Sequence, residues 1–294
     1  MNREKRRVAV TGARGLVGAC LARYLADNDD VDTLSHTDLD ITDRDALRSW
    51  CLRNRPDLIV NCAALQVDAC ELDPRLAEAV NVTGPQNLAL AAAEFGAELM
   101  HFSTNYVFDG EPERRTPYTT ADETRPINVY GQTKLEGERA VAKAAPASYI
   151  VRTAWVYGLG KESFLAAVPR KLLAGERVFA IVDAFSTTTY VRDLVVRAAE
   201  IIERGRHGIF HVVNEGVCSY HDFAVQAARL IGLEDAVIGE LIVPVTEGEM
   251  KRPARRPRWT PLRCVLSSEI GLTPLRNWRE ALASYINTDL EGRQ

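Results

Sequence analysis

Short, nearly continuous apolar runs alternate along this chain with longer stretches in which apolar residues recur every three or four positions. Runs of the first kind are strands buried on both faces; stretches of the second kind are amphipathic helices. The pattern predicts strands over residues 8–11, 31–35, 57–61, 98–103 and 148–152. Between them it predicts helices over 19–27, 43–54 and 75–95, and one bearing Tyr130 and Lys134. Past residue 155 the rhythm loosens. Helices are read over 163–173, 193–203, 220–230 (capped by Ser219) and about 277–286, and strands over 178–182 and 208–213. Strands alternating with helices form parallel βαβ units joined by right-handed crossovers, so the fold class is α/β, a doubly wound parallel sheet.

Ligands of such sheets bind beyond the carboxyl ends of the strands. There the sequence places residues 12–18, Ser35 and His36, Ala63, Ala64 and Leu65, Ser103, Thr104 and Asn105, and Thr153 to Trp155. The first group is Gly12-Ala-Arg14-Gly15-Leu16-Val17-Gly18, a glycine turn between the first strand and its helix. Its spacing is G-x-x-G-x-x-G. Small residues there let the backbone approach a pyrophosphate seated on a helix N-terminus. Residues 1–155 therefore read as a Rossmann-type dinucleotide-binding domain. Residues 156–294 read mainly as a smaller substrate-binding lobe, some of whose elements return to the core.

Tyr130 and Lys134 are four residues apart, on one helix face. An ammonium beside a phenol favours the phenolate and makes tyrosine a usable proton donor, as reduction of a carbonyl by a nicotinamide requires. The spacing alone also fits a half-buried tyrosine beside a solvated lysine.

Bulk properties narrow the partners. The 294 residues are 46% hydrophobic and 26% charged, with net charge −4. No global basicity recommends nucleic acid or an anionic membrane. No apolar run approaches the ~20 residues that span a bilayer. The basic N-terminus leads into a four-residue apolar run and then glycines, not a signal-peptide core. Six scattered cysteines without a Cys-x-x-Cys pair fit a reducing cytoplasm. Asp109, Glu111, Glu113, Asp122 and Glu123 lack metal-ligand spacing, so no metal site is assigned.

Four segments carry a family resemblance: the glycine turn, Ser103-Thr-Asn-Tyr-Val-Phe-Asp-Gly110, Tyr130-Gly-Gln-Thr-Lys-Leu-Glu-Gly-Glu138 and Arg152-Thr-Ala-Trp-Val-Tyr-Gly158. Together they resemble the extended short-chain dehydrogenase/reductases, and more narrowly the dTDP-4-dehydrorhamnose reductase family. The resemblance implies reduction of the C4 ketone of a nucleotide-linked 6-deoxyhexose. In that reading Tyr130 gives the proton, Lys134 tunes it and holds the nicotinamide ribose, and Thr104 bonds the substrate carbonyl. Gly12, Gly15, Leu16, Val17 and Gly18 lie at the pyrophosphate. Asp40 and Ile41 flank the adenine, Ala63, Ala64 and Leu65 the ribose and nicotinamide. Asn105 and Trp155 line the sugar, and Arg255 and Arg256 balance the substrate diphosphate. A homodimer is one open outcome.

Three positions depart from the family, all on the sugar side. Asn105 stands where an aspartate is usual. Leu65-Gln66 replace an aromatic or histidine before a Val-Asp pair. Asp183-Ala-Phe-Ser-Thr-Thr-Thr189 lacks the usual glycine and proline. A different nucleotide sugar, or a non-catalytic NADP-binding regulatory subunit, are the alternatives these changes admit. The second strand ends without an acid until Asp38, while Arg14, Ser35 and His36 supply donors. That pattern favours NADPH, with NADH as the alternative.

Overall fold

The computed structural model describes residues 4–111, 113–161 and 163–290. The outermost residues of the two lobes expected from sequence, 1–3 and 291–294, lie outside the described residues. Six parallel strands form the main sheet: β1 (Arg7–Thr11), β2 (Asp30–Leu34), β3 (Leu58–Asn61), β4 (Glu98–Thr104), β5 (Ser148–Thr153) and β7 (Gly208–His211). Between the last two in sequence lies β6 (Val178–Ile181), which belongs to a separate pair with β8 (Ile242–Val245). The main sheet runs β2-β1-β3-β4-β5-β7. From β1 the chain steps one way to β2 and then back across to β3. A crevice therefore opens between the carboxyl ends of β1 and β3, the switch point of a doubly wound sheet.

Alternate residues on each strand feed two cores. Val8, Val10, Leu58, Val60, Met100 and Phe102 pack with α1 (Leu16–Leu25) and the later helix Val191–Arg204. Ala9, Ile59, Leu99 and Ile150 pack with α2 (Arg44–Asn54), α3 (Gly84–Phe95) and α4 (Val129–Ala144). Each fully buried aliphatic side chain contributes about 1.5–3 kcal/mol. This is why the strands read as unbroken apolar runs.

A third core lies outside the sheet. It gathers α5 (Phe164–Leu173), α7 (Tyr220–Leu230), α8 (Asp235–Leu241) and α9 (Trp278–Tyr285) with the β6–β8 pair, around Tyr157, Phe223 and Trp278. Between α5 and α7 the chain returns to the sheet, since α6 (Val191–Arg204) packs on α1 and β7 extends the sheet beyond β5.

The element boundaries differ from the sequence pattern in two ways. The stretch 75–95 is not one regular helix: it begins as Pro74–Glu78, widens into a π-helical turn at Ala79–Thr83, and resumes as α3. A short helix Val67–Leu72, α8 and β8 were not legible, because each is too brief to show a period. No helix among the described residues is long and apolar enough to cross a membrane.

Candidate active site

The glycine turn meets the end of β3 at closest approach. Gly12 adopts φ +67°, and a Cβ there would stand 2.5 Å from the backbone nitrogen of Ala63. Only glycine fits. The turn delivers the chain into α1, whose N-cap, Gly15, supplies no side-chain cap and whose first turn holds no acid. Its leading amides, those of Leu16, Val17 and Gly18, are thus free to receive an anion. Beside them lies a cleft of about 410 Å³ whose walls include Gly12, Gly15, Ser35, His36, Asp40, Ile41, Ala63 and Ala64. Most residues expected to hold a dinucleotide therefore converge, and the cradle fits one. Leu65 stands just outside, its N–H donating to Asn81 Oδ1 at 3.0 Å.

At the end of β2 the structure adds a carboxylate that the sequence pattern set aside. Asp38 folds back, accepting from Ser35 N at 2.8 Å and from Ser35 Oγ at 2.5 Å. These bonds, with the Arg14 guanidinium nearby, hold the exposed Asp38 carboxyl below the usual carboxylate range. Arg14, Ser35 and Asp38 share the wall of an adjoining cleft with Arg23. Asp40 accepts from Thr42 N and Oγ1 at 2.9 and 2.8 Å, closing its own turn, with exposed His36 3.8 Å away.

The helix α4 starts where Asn128 Oδ1 accepts from Gly131 N at 2.7 Å. It presses onto the π-turn because residue 137 is glycine: a Cβ there would fall on the carbonyl oxygen of Asn81. This sets Tyr130 beside the end of β4. Its ring meets Tyr106 edge-on at 5.8 Å, and the Thr104 side chain lies near enough to influence its phenol, while the Thr104 hydroxyl donates to Asn105 Oδ1 at 3.2 Å. Burial pushes the phenol up to about 12, against the downward pull of Thr104. In this structure Lys134 is bonded to β4 and not to this phenol. Lys134 Nζ donates to Phe102 O at 2.7 Å and lies 3.3 Å from His101 Nε2; the influences on Tyr130 come from burial, Thr104, Cys70 and Tyr106. Burial brings the Lys134 ammonium down to about 8.

Three residues with a direct part in this arrangement escaped the sequence reading. Asn61 and His101 end or interrupt apolar strands and are fully buried; Asn81 lies in the π-turn and binds Leu65 and Thr133. A polar residue inside a run read as doubly buried was the available signal.

On the sugar side the expected residues do not share one role. Asn105 is buried, its amide donating to Thr260 Oγ1 at 2.8 Å and Ser186 Oγ at 3.1 Å. It clamps the altered 183–189 segment. Its residues Ser186 to Thr189 are buried, with Thr189 Oγ1 donating to Ala154 O. Trp155 is half-buried at φ +40°, stacked on Tyr220 with ring centres 3.8 Å apart. Arg255 is exposed and lines a hollow of about 500 Å³ with Lys251, Arg252 and Arg258, whose walls also carry Asp109, Glu111 and Glu247; Arg252 pairs with Glu247 and Arg258 with Asp183. Arg256 lines the same hollow but donates twice to Asp68, at 2.9 and 2.8 Å. Its charge is already matched. Among the described residues, no cluster of three His, Cys, Asp or Glu side chains is placed to hold a metal.

The family model described as the RmlD substrate binding domain matches residues 6–290. The chain belongs to that family. A relative from Mycolicibacterium smegmatis named dTDP-4-dehydrorhamnose reductase is 44% identical over 284 residues, covering 95% of this chain and 85% of that protein. A probable dTDP-4,6-dihydroxy-2-methyloxan-3-one 4-ketoreductase from Streptomyces antibioticus is 38% identical, covering 93% and 92%. Among solved structures, a dTDP-4-dehydrorhamnose reductase from Bacillus anthracis in complex with NADP superposes with TM-score 0.91 at 31% identity, over 97% of this chain and all of that one.

Proposed function

We propose that this RmlD-family protein is an NADPH-dependent reductase acting on the C4 ketone of a nucleotide-activated 4-keto-6-deoxy sugar, dTDP-4-dehydro-L-rhamnose or a close relative. The observation that carries the reading is the glycine cradle shaped for a pyrophosphate, with Tyr130 packed on Tyr106 near Thr104 at the carboxyl end of β4. When bound, the nicotinamide supplies the hydride. Tyr130 keeps its proton at neutral pH, as an acid must, and passes it to the C4 oxygen. Thr104 holds that oxygen in line. The amides of Leu16, Val17 and Gly18 receive the pyrophosphate. Arg14 receives the adenosine 2′-phosphate; Ser35 lies beside it with its N–H and hydroxyl already given to Asp38. Lys134 turns from β4 to the nicotinamide ribose. Residues 1–155 serve the cofactor and the remainder mainly the sugar nucleotide, whose diphosphate faces Arg255 in the hollow.

Consumption of NADPH with dTDP-4-dehydro-L-rhamnose, followed by its absorbance, tests the reading. Turnover supports it. Silence from a protein that binds NADPH refutes this substrate. A second reading, a reductase of another dTDP-sugar, is favoured by the clamp of Asn105 on Ser186 and Thr260, which removes that amide from the sugar. Turnover with a different 4-keto dTDP-sugar would select it. Tight NADPH binding without turnover of any such sugar would instead indicate a regulatory subunit.

A further inference from the structure

Thr11, Asn61 and His101 stand side by side on β1, β3 and β4, paired in register. Asn61 Oδ1 accepts from Thr11 Oγ1 at 2.8 Å and from Ala63 N at 3.1 Å. Those two donors fix the amide's orientation, so its NH₂ faces His101 Nδ1 at 3.0 Å. Nδ1 must then carry the lone pair, and Nε2 the proton. His101 is fully buried, and burial together with Lys134 holds its ring neutral. Its Nε2–H points at Lys134 Nζ, whose one other bond here is donated to Phe102 O. An N–H facing an ammonium sets donor against donor. The same N–H facing an amine lone pair makes a hydrogen bond.

We propose that His101, locked in its Nε2–H tautomer by Asn61, is a positioning residue that holds Lys134 against β4 and favours its uncharged amine form until the cofactor is bound. This rests on the reductase reading above. It has a consequence in protons. As Lys134 leaves His101 for the ribose hydroxyls, its nitrogen takes up a proton from the buffer, and NADPH binding is coupled to that uptake. Of the other groups facing Lys134, the Glu138 carboxylate favours the ammonium, against burial and the His101 N–H. Cys62, following β3, has its thiol pushed up to about 12 by burial, and Cys70, on the helix Val67–Leu72, is raised too. Glu138, one turn along α4, is already paired with Arg152 at 2.7 Å. Tyr130, one turn earlier, keeps its proton.

The test is calorimetric titration of the full-length protein with NADPH in two buffers of different ionisation enthalpy, near pH ~8.5, where a lysine brought down to about 8 is mostly amine. Native protein is expected to take up most of one proton per NADPH. In His101→Gln, where an amide oxygen able to accept from an ammonium replaces the N–H that faces Nζ, Lys134 is charged before binding and the uptake falls by more than half. Equal uptake in the two proteins overturns the proposal. Nitrogen-15 spectra of the histidines in cofactor-free protein give a test independent of binding: an Nδ1–H tautomer at His101 overturns the proposal, and an Nε2–H tautomer lost in Asn61→Leu supports it. If native protein fails to bind NADPH, the reductase reading falls, while the tautomer still decides whether Asn61 and His101 are arranged as stated.

Discussion

The two side chains nearest the chemistry are governed by different neighbours. Tyr130 depends on Thr104 and on burial, Lys134 on β4. Substituting Tyr130→Phe removes the acid and leaves the glycine cradle intact. Turnover should fall about 10²–10⁴-fold with NADPH affinity unchanged, measured by initial rates beside fluorescence titration. Arg14 tests the cofactor. A guanidinium bonded to a phosphate is worth about 1.5–3 kcal/mol, so Arg14→Ala should raise the KM for NADPH about 10-fold or more and leave that for NADH nearly unchanged. Equal effects on both would remove the 2′-phosphate role. The glycine turn and the Tyr130–Lys134 spacing were legible because both follow from backbone geometry alone. The direction of Lys134 was not. A four-carbon side chain points where its polar tip finds partners, and Phe102 O and His101 are more than thirty residues away in sequence. The return of Asp38 onto Ser35 was hidden for a related reason: the turn that brings it back has no periodicity to read.

At the scale of elements, α4 is fixed by a buried charge cluster. Glu138 accepts from Arg152 Nε and Nη2 of β5, and from Ser103 of β4, which ties the helix carrying Tyr130 to two strands at once. Both ionic side chains are almost fully buried. Removing one member strands the other, at a cost of about 3–5 kcal/mol. Glu138→Ala should therefore lower the urea midpoint strongly, and a shift within error would show that the pair contributes little to holding α4. Strands were the most legible elements, since both faces are covered and each is an apolar run. The helix before β4 was less so. The π-turn at Ala79–Thr83 inserts a residue's worth of slack that leaves the apolar spacing almost unchanged, yet it turns Asn81 inward to Leu65 and Thr133.

The whole molecule carries two neutral, buried imidazoles, His101 and His211. Burial brings His211 down to about 3, against an ordinary value of ~6.5. The unfolded chain therefore binds a proton first as acid is added. The stability due to the neutral ring is complete above pH ~6.5 and is lost as pH falls toward about 3. Urea midpoints should decline from neutral to mildly acid conditions, and His211→Asn should flatten that decline; an unchanged slope would remove His211 from the account. Strand order at this scale was not legible, because periodicity identifies a strand without naming its neighbour.

The placing of β7 bears on how the protein is made. Its partner β5 ends at Thr153, and β7 begins only at Gly208. On the ribosome, at roughly 5–20 residues per second, the outer edge of β5 stays uncovered for several seconds while the intervening chain emerges. That edge belongs to a strand with every residue buried in the finished molecule. A nascent chain at this stage presents an apolar strand with free backbone donors and acceptors, the kind of template that pairs with a neighbouring chain. Crowded polysomes translating this message would thus meet their greatest risk of misassociation before residue 208 is added, and the last strand of the sheet acts as its seal.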